Sequence, residues 1–213
     1  MTINKETKEY GKNVKKAKKF FKEELEELIV LNSHLYHFVL ECFDKFSPDY
    51  FWDFSASSSG KYHPKISNKK HGLVLHTKYS VWWGIKLSES FGVEKHQDII
   101  IASLLLHDLQ KFGMLLDKDN KPTLAQYTSS HGPILAIQIE DYYKSKNITN
   151  YDIENIIMLI ALHMGRWTNS TLIYKWNDIN VEEYKLASLV HLADYASSRK
   201  ANKKILELDN LKF

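Results

Sequence analysis

The sequence is poor in the residues that mark non-globular chains. It has one cysteine, Cys42, so no intrachain disulfide can form, and this predicts a reducing compartment. Eight glycines and four prolines in 213 residues exclude a collagenous or low-complexity chain. No apolar run approaches the ~18 residues of a membrane span, and the polar opening MTINKETKEYGKNVKKAKKF does not read as a signal peptide. These absences predict a cytoplasmic protein with no membrane partner. Neither sign of charge dominates, with 29 Lys+Arg against 26 Asp+Glu and a net charge of +3. The balance hides a gradient: residues 1–22 hold eight lysines and two glutamates, a net +6 that leaves −3 for the rest. Such an arm can attract polyanions, but no aromatic residues alternate with its lysines, so it reads first as a solvated, fraying helix end.

No alternating strand pattern persists and no repeat is present, so the fold class predicted is all-α. Phe21, Leu25, Leu28, Leu35, Val39, Cys42 and Phe46 follow a helical stripe that predicts one helix over 14–46, stopped by Pro48. Further helices are predicted at 72–91, 97–116, 129–146, 151–164 and 181–199. Ser129 and Ser130 can cap the 129–146 helix, with Pro133 in its first turn, and Gly113 and Gly165 fall where helices can end. The Ser-, Gly-, Pro- and Lys-rich stretch 53–70 is the longest candidate loop.

What the chain does have is histidine, ten in all. The run IIIASLLLHDLQKFG (99–113) carries an apolar helix into the core and ends on His107 and Asp108, with Lys111 one turn later. Burying an imidazole and a carboxylate there is costly without a partner, and a divalent metal satisfies both. Other apolar runs repeat the device: GLVLH ends on His76, IIMLIALH on His163, and LASLVHLAD carries His191 and Asp194 one turn apart. His131 opens another helix. Each histidine alone also reads as a core imidazole donating to a backbone carbonyl. Several apolar helices with a ligand-type residue at an inner position argue for convergence on a metal.

The succession HGLVLHT (71–77), LLLHDLQKFG (104–113) and HLADYASSR (191–199) resembles the HD-domain superfamily of metal-dependent phosphohydrolases. The likeness covers about 51–199 and implies an HD-domain helical bundle there. Residues 1–50 would then be a basic arm and N-terminal helix packed on it, and 200–213 a C-terminal tail. It also implies His76, His107, Asp108 and Asp194 as core ligands, with His131 and His163 as the extra histidines of dinuclear members. One or two divalent ions (Mn, Fe, Co, Ni, Mg or Zn) would serve as cofactor. Asp108 and Lys111 are the implied catalytic groups, Lys111 donating to a phosphoryl oxygen. FWDFSASSSGKYHP (51–64) resembles a loop before the first ligand in bacterial and phage members, and its Ser59, Lys61 and His63 could hold a phosphate. Arg166, beside Trp167, could bind a phosphate or a base, and His191 could orient Asp194.

The chain lacks the OB-type domain of exonuclease relatives, the bulk of the deoxynucleotide triphosphohydrolases and the GYP element of cyclic-dinucleotide phosphodiesterases. Gln110 stands where a smaller residue is commoner. The implied partner is a phosphorylated small molecule, a nucleotide first, or a short single-stranded nucleic acid. The implied reaction is hydrolysis of its phosphomonoester or phosphodiester bond. A mixed-valence di-iron oxygenase acting on a small polar substrate and a non-catalytic nucleotide-binding HD domain are the alternatives.

Overall fold

The structure is a computed structural model that describes residues 14–20, 22–23, 33–57, 60–61, 63–112, 130–168, 171, 176 and 178–199. It is all-α, with no strand among the described residues. The helices are α1 (Ser33–Phe46), α2 (Gly72–Phe91), α3 (Gln97–Leu106), α4 (His131–Ser145), α5 (Tyr151–Leu162) and α6 (Val181–Ser197). Short 3-10 turns occupy Asp49–Trp52, Glu94–His96 and Gly165–Trp167, and residues 14–20 and 22–23 are helical too. Whether 14–46 is one continuous helix lies outside the described residues. None of the helices is long and apolar enough to cross a membrane, among the described residues.

The bundle is organised around α3. Every residue from Ile99 to Leu106 is buried, and a helix that is apolar on all sides must be covered on all sides. Neighbours α1, α2, α5 and α6 provide that cover, while α2 packs on α6 and α4 on α5. Leu35, Val39, Cys42 and Phe43 of α1 belong to the same core as the rest, so the N-terminal helix is fastened to the bundle. Burial holds the Cys42 thiol well above its usual range, which leaves it a small core hydrophobe.

Two helices stop earlier than periodicity predicts. Instead of running to 116, α3 ends at Leu106, and 107–112 form turns closed by Leu109 N–H to Leu106 O (3.1 Å) and Lys111 N–H to Asp108 O (3.1 Å). The His107 imidazole reaches back through Nδ1 to Leu104 O at 2.6 Å, the carbonyl that the Asp108 amide would need to continue the helix. His163 does the same to Ile160 O at 2.7 Å, and α5 ends at Leu162. Residues 113–116, with Gly113, lie outside the described residues, as does Ser129. Ser130 occupies the N-cap position of α4 but makes no capping bond through its side chain. Pro133 falls third in α4, where an N–H has no partner within the helix. The caps of the last two helices are Asn150, accepting from the amides of Asp152 and Ile153, and Asn180, which forms a capping box with Glu183.

A polar lock joins α1 to α4. Glu41 accepts from the hydroxyls of Tyr142 and Tyr143, both at 2.6 Å, and pairs with Lys146. Partial burial would raise its pKa, but Lys146 and the two hydroxyls outweigh that and hold it at about 2 against a usual 4.5. A depressed carboxylate stabilises the fold above its unfolded pKa. Below that, the unfolded chain takes the proton first, and the stabilisation fades as pH falls from about 4.5 through about 2. Glu41→Gln is expected to cost about 1 kcal/mol at pH 7 and to flatten the acid limb of stability, checked by urea denaturation between pH 2 and 7. An acid limb unchanged by the substitution would contradict the lock.

Candidate metal centre

Asp108, at the inner end of α3, is the hub. Its Oδ2 lies 3.1 Å from His76 Nε2, 3.5 Å from His107 Nε2 and 2.5 Å from Lys111 Nζ. Its Oδ1 faces the other way, 3.0 Å from His131 Nε2 and 3.7 Å from His163 Nε2. Asp194 of α6 closes the first group, its Oδ1 lying 2.9 Å from His76 Nε2 and 3.6 Å from His107 Nε2. Two ligand-type sets therefore share one carboxylate: His76, His107, Asp108 and Asp194, and Asp108, His131 and His163. Within each set the candidate ligand atoms lie within 4.8 Å of one another.

Proton placement tests whether these residues fit a cation. A backbone carbonyl can only accept, so His107 and His163 must carry their protons on Nδ1 to reach Leu104 O and Ile160 O. If neutral, each turns an Nε2 lone pair inward. Ser197 Oγ lies 2.7 Å from Asp194 O and 2.9 Å from His76 Nδ1. With the hydroxyl proton given to the carbonyl, His76 donates from Nδ1 and also presents a lone pair at Nε2. His76 Nε2, His107 Nε2 and Asp108 Oδ1 are buried with no well-formed hydrogen bond. His131 Nε2 and His163 Nε2 stand 3.0 Å apart, two acceptors with at most one proton between them. The cluster is thus an excess of buried acceptors around two carboxylates, a donor set suited to divalent cations with nitrogen and oxygen ligands.

The electrostatics agree. Burial opposes ionisation of Asp108, yet Lys111, His107, His131 and His76 hold its carboxyl well below the usual range. Asp194 is held down by His107 and His76 against the same penalty. Burial, with His131 and His107 beside it, pushes His163 down to about 3, which keeps its ring neutral and able to ligate. Burial also opposes charge on His107, but Asp108 and Asp194 outweigh it and raise its pKa, so a cation would displace a proton there. Backbone approach matters as well. A Cβ on Gly132 would stand 2.6 Å from Ile160 O and 2.8 Å from the His163 ring, so only glycine lets the start of α4 bring His131 against His163.

The centre opens on a cavity of about 420 Å³ lined by His63, Lys111, His131, Trp167, Tyr195 and Arg199, among others. The chain matches no family model, and no similar curated protein or solved structure was found.

All six sequence-proposed ligands come together, with Lys111 beside them. His63 comes too, its ring centroid 5.3 Å from that of His76. Its loop is pinned by Ala56 N–H to Ser67 O (2.8 Å) and by Asn68, whose amide donates to the carbonyls of Gly60 (3.2 Å) and His63 (3.0 Å). Lys61 is exposed and outside the cavity lining, and Ser59 lies outside the described residues. Arg166 lines a neighbouring cavity instead. His191 donates from Nδ1 to His163 O at 2.8 Å, so it braces a ligand-bearing turn where the sequence suggested it would orient Asp194. The sequence reading missed Tyr195 and Arg199 as cavity walls. Their four-residue spacing near the end of α6 was the available signal, since it places the guanidinium 3.9 Å from the Tyr195 ring centroid.

Because Asp108 serves both sets, Asp108→Ala is expected to abolish metal uptake. His131→Ala and His163→Ala should lower the ratio from about two ions per chain toward one, by ligand count. Elemental analysis after metal loading and desalting measures this. A ratio of one in the unaltered protein that neither histidine variant changes would rule out the paired centre.

Proposed function

We propose that the chain is a metal-dependent phosphohydrolase of HD-domain type. It would cleave a phosphomonoester or phosphodiester bond in a nucleotide, cyclic (oligo)nucleotide or short nucleic acid. The observation that carries this reading is the shared carboxylate of Asp108, with imidazoles on both of its oxygens, beside a cavity that His131 and Asp194 line together with Lys111 and Arg199. His76, His107, Asp108 and Asp194 would hold one ion, and His131 and His163, with Asp108, a second. The chemistry that divalent ions held there would supply is a more acidic bound water and withdrawal of charge from a phosphoryl oxygen.

The chain's own residues supply the rest. Lys111 sits one turn beyond Asp108, anchored to its Oδ2 and lining the cavity, where its remaining ammonium protons can reach a phosphoryl oxygen. His63 lines the same cavity with both ring nitrogens buried and, among the described residues, without a hydrogen-bond partner. Burial, together with His76 and Lys111, lowers its pKa to about 3, so it meets a ligand as a neutral imidazole and offers one donor and one acceptor. Arg199 and the exposed rings of Trp167 and Tyr195 supply a cation and flat apolar surfaces suited to a second phosphate and a base.

The discriminating experiment is a metal-by-substrate screen of the purified chain, reading phosphate release and, in parallel, oxygen uptake. Phosphate release from a nucleotide-type substrate is expected, and Lys111→Ala should lower kcat by about ten- to a hundred-fold with metal content retained. Oxygen consumption only with iron and no phosphate release would favour the oxygenase alternative. Tight nucleotide binding with no product would favour a binding module.

A further inference from the structure

A second cavity, of about 590 Å³, lies between the C-terminal end of α5, α6 and residues 176 and 179. Its body is apolar: Leu162, Trp176, Ile179, Ala187 and Leu192 line it. Among the described lining residues Arg166 is the charged group, and no carboxylate is present. Arg166 rests its guanidinium 4.4 Å from the Trp167 ring centroid and has no ion pair among the described residues. Ser188 and Tyr184 add hydroxyls to the wall. An apolar pocket with one cation, which has no ion pair among the described residues, and neighbouring hydroxyls is complementary to a small molecule with an apolar body and an anionic head.

One short turn lines both cavities, as α6 does. Met164 and Trp167 line the metal cavity, whereas Gly165 and Arg166 line the second. Gly165 takes φ +54, and a Cβ on it would stand 2.9 Å from the His191 ring. That ring also lines the second cavity, holds His163 O through Nδ1, and lies 5.7 Å from Trp167 between centroids. A molecule touching Arg166 and His191 therefore touches the segment that carries both the His163 carbonyl and Trp167.

We propose that this second cavity is a binding site for a small amphipathic anion, anchored by Arg166 and coupled to the metal cavity through the turn at 164–167. The inference stands apart from the phosphohydrolase reading, because it needs neither a metal nor turnover.

The probes are 8-anilinonaphthalene-1-sulfonate and the uncharged N-phenyl-1-naphthylamine, titrated into the full chain by fluorescence. One sulfonate per chain is expected, bound at least about ten-fold more tightly than the neutral probe. Arg166→Gln should bring the sulfonate down to the neutral level while leaving the neutral probe unchanged. Ser188→Phe, which fills the cavity, should abolish both, with circular dichroism reporting the fold. Sulfonate binding should also slow hydrogen exchange at the amides of Trp167 and Thr168, which bond to Met164 O and Gly165 O. Undiminished sulfonate binding in Arg166→Gln would overturn the proposal, as would its persistence in folded Ser188→Phe. Unchanged exchange at 167–168 would remove the coupling.

Discussion

The structure depends on the burial of the Asp108 carboxylate. Moving such an ion from water into a protein interior costs several kcal/mol even after relaxation, and the chain must place compensating groups around it. It does so with five groups from four elements: His76 from α2, His107 and Lys111 from the turn after α3, His131 from α4 and His163 from the end of α5. A bundle built only for stability would put a leucine at this position. A carboxylate with an imidazole on each oxygen makes sense where charge is needed in a dry place, and that condition gives bound cations their chemical leverage.

The same imidazoles also decide where the helices end. His107 and His163 each spend Nδ1 on a carbonyl three residues back, at Leu104 and Ile160. One bond interrupts the helix, fixes the tautomer and aims Nε2 at Asp108. The two readings a sequence allows for such a histidine, a core residue bonded to backbone or a metal ligand, are therefore not exclusive here. Each ring can do both, through its two nitrogens: Nδ1 bonds the backbone and Nε2 is left to face a cation. His191 takes only the first role, which ties α6 to the turn that lines both cavities.

The main helices were legible in the sequence because α2, α4, α5 and α6 keep their apolar spacing between recognisable caps and stops. The early end of α3 was not, since the competing donor to the Leu104 carbonyl is a side chain whose direction no pattern records. His76, His107, Asp108 and His163 were legible for another reason: a histidine or aspartate at the end of an apolar run is an expense of burial visible in the local sequence, whereas the choice of His131, and of Asp194 over His191, was implied by the family resemblance. Arg166 and Arg199 show where that logic stops. Both are arginines near a ligand-bearing turn, and only the crossing of α6 over the end of α5 sends one to each cavity.

The linear sequence by itself determined the helical class, the central position of the most apolar helix, and the set of residues too costly to bury alone. Those properties follow from local spacing and transfer free energy, which need no partner to be evaluated. Tertiary structure alone decided that Asp108 splits its two oxygens between two imidazole sets and that His63 reaches the cavity across a pinned loop. It alone also decided that one 3-10 turn lends residues to two pockets. These depend on distances between residues far apart in the chain, set by how closely helices can approach. Gly132, where α4 meets the end of α5, is one point where that approach has a single permitted side chain.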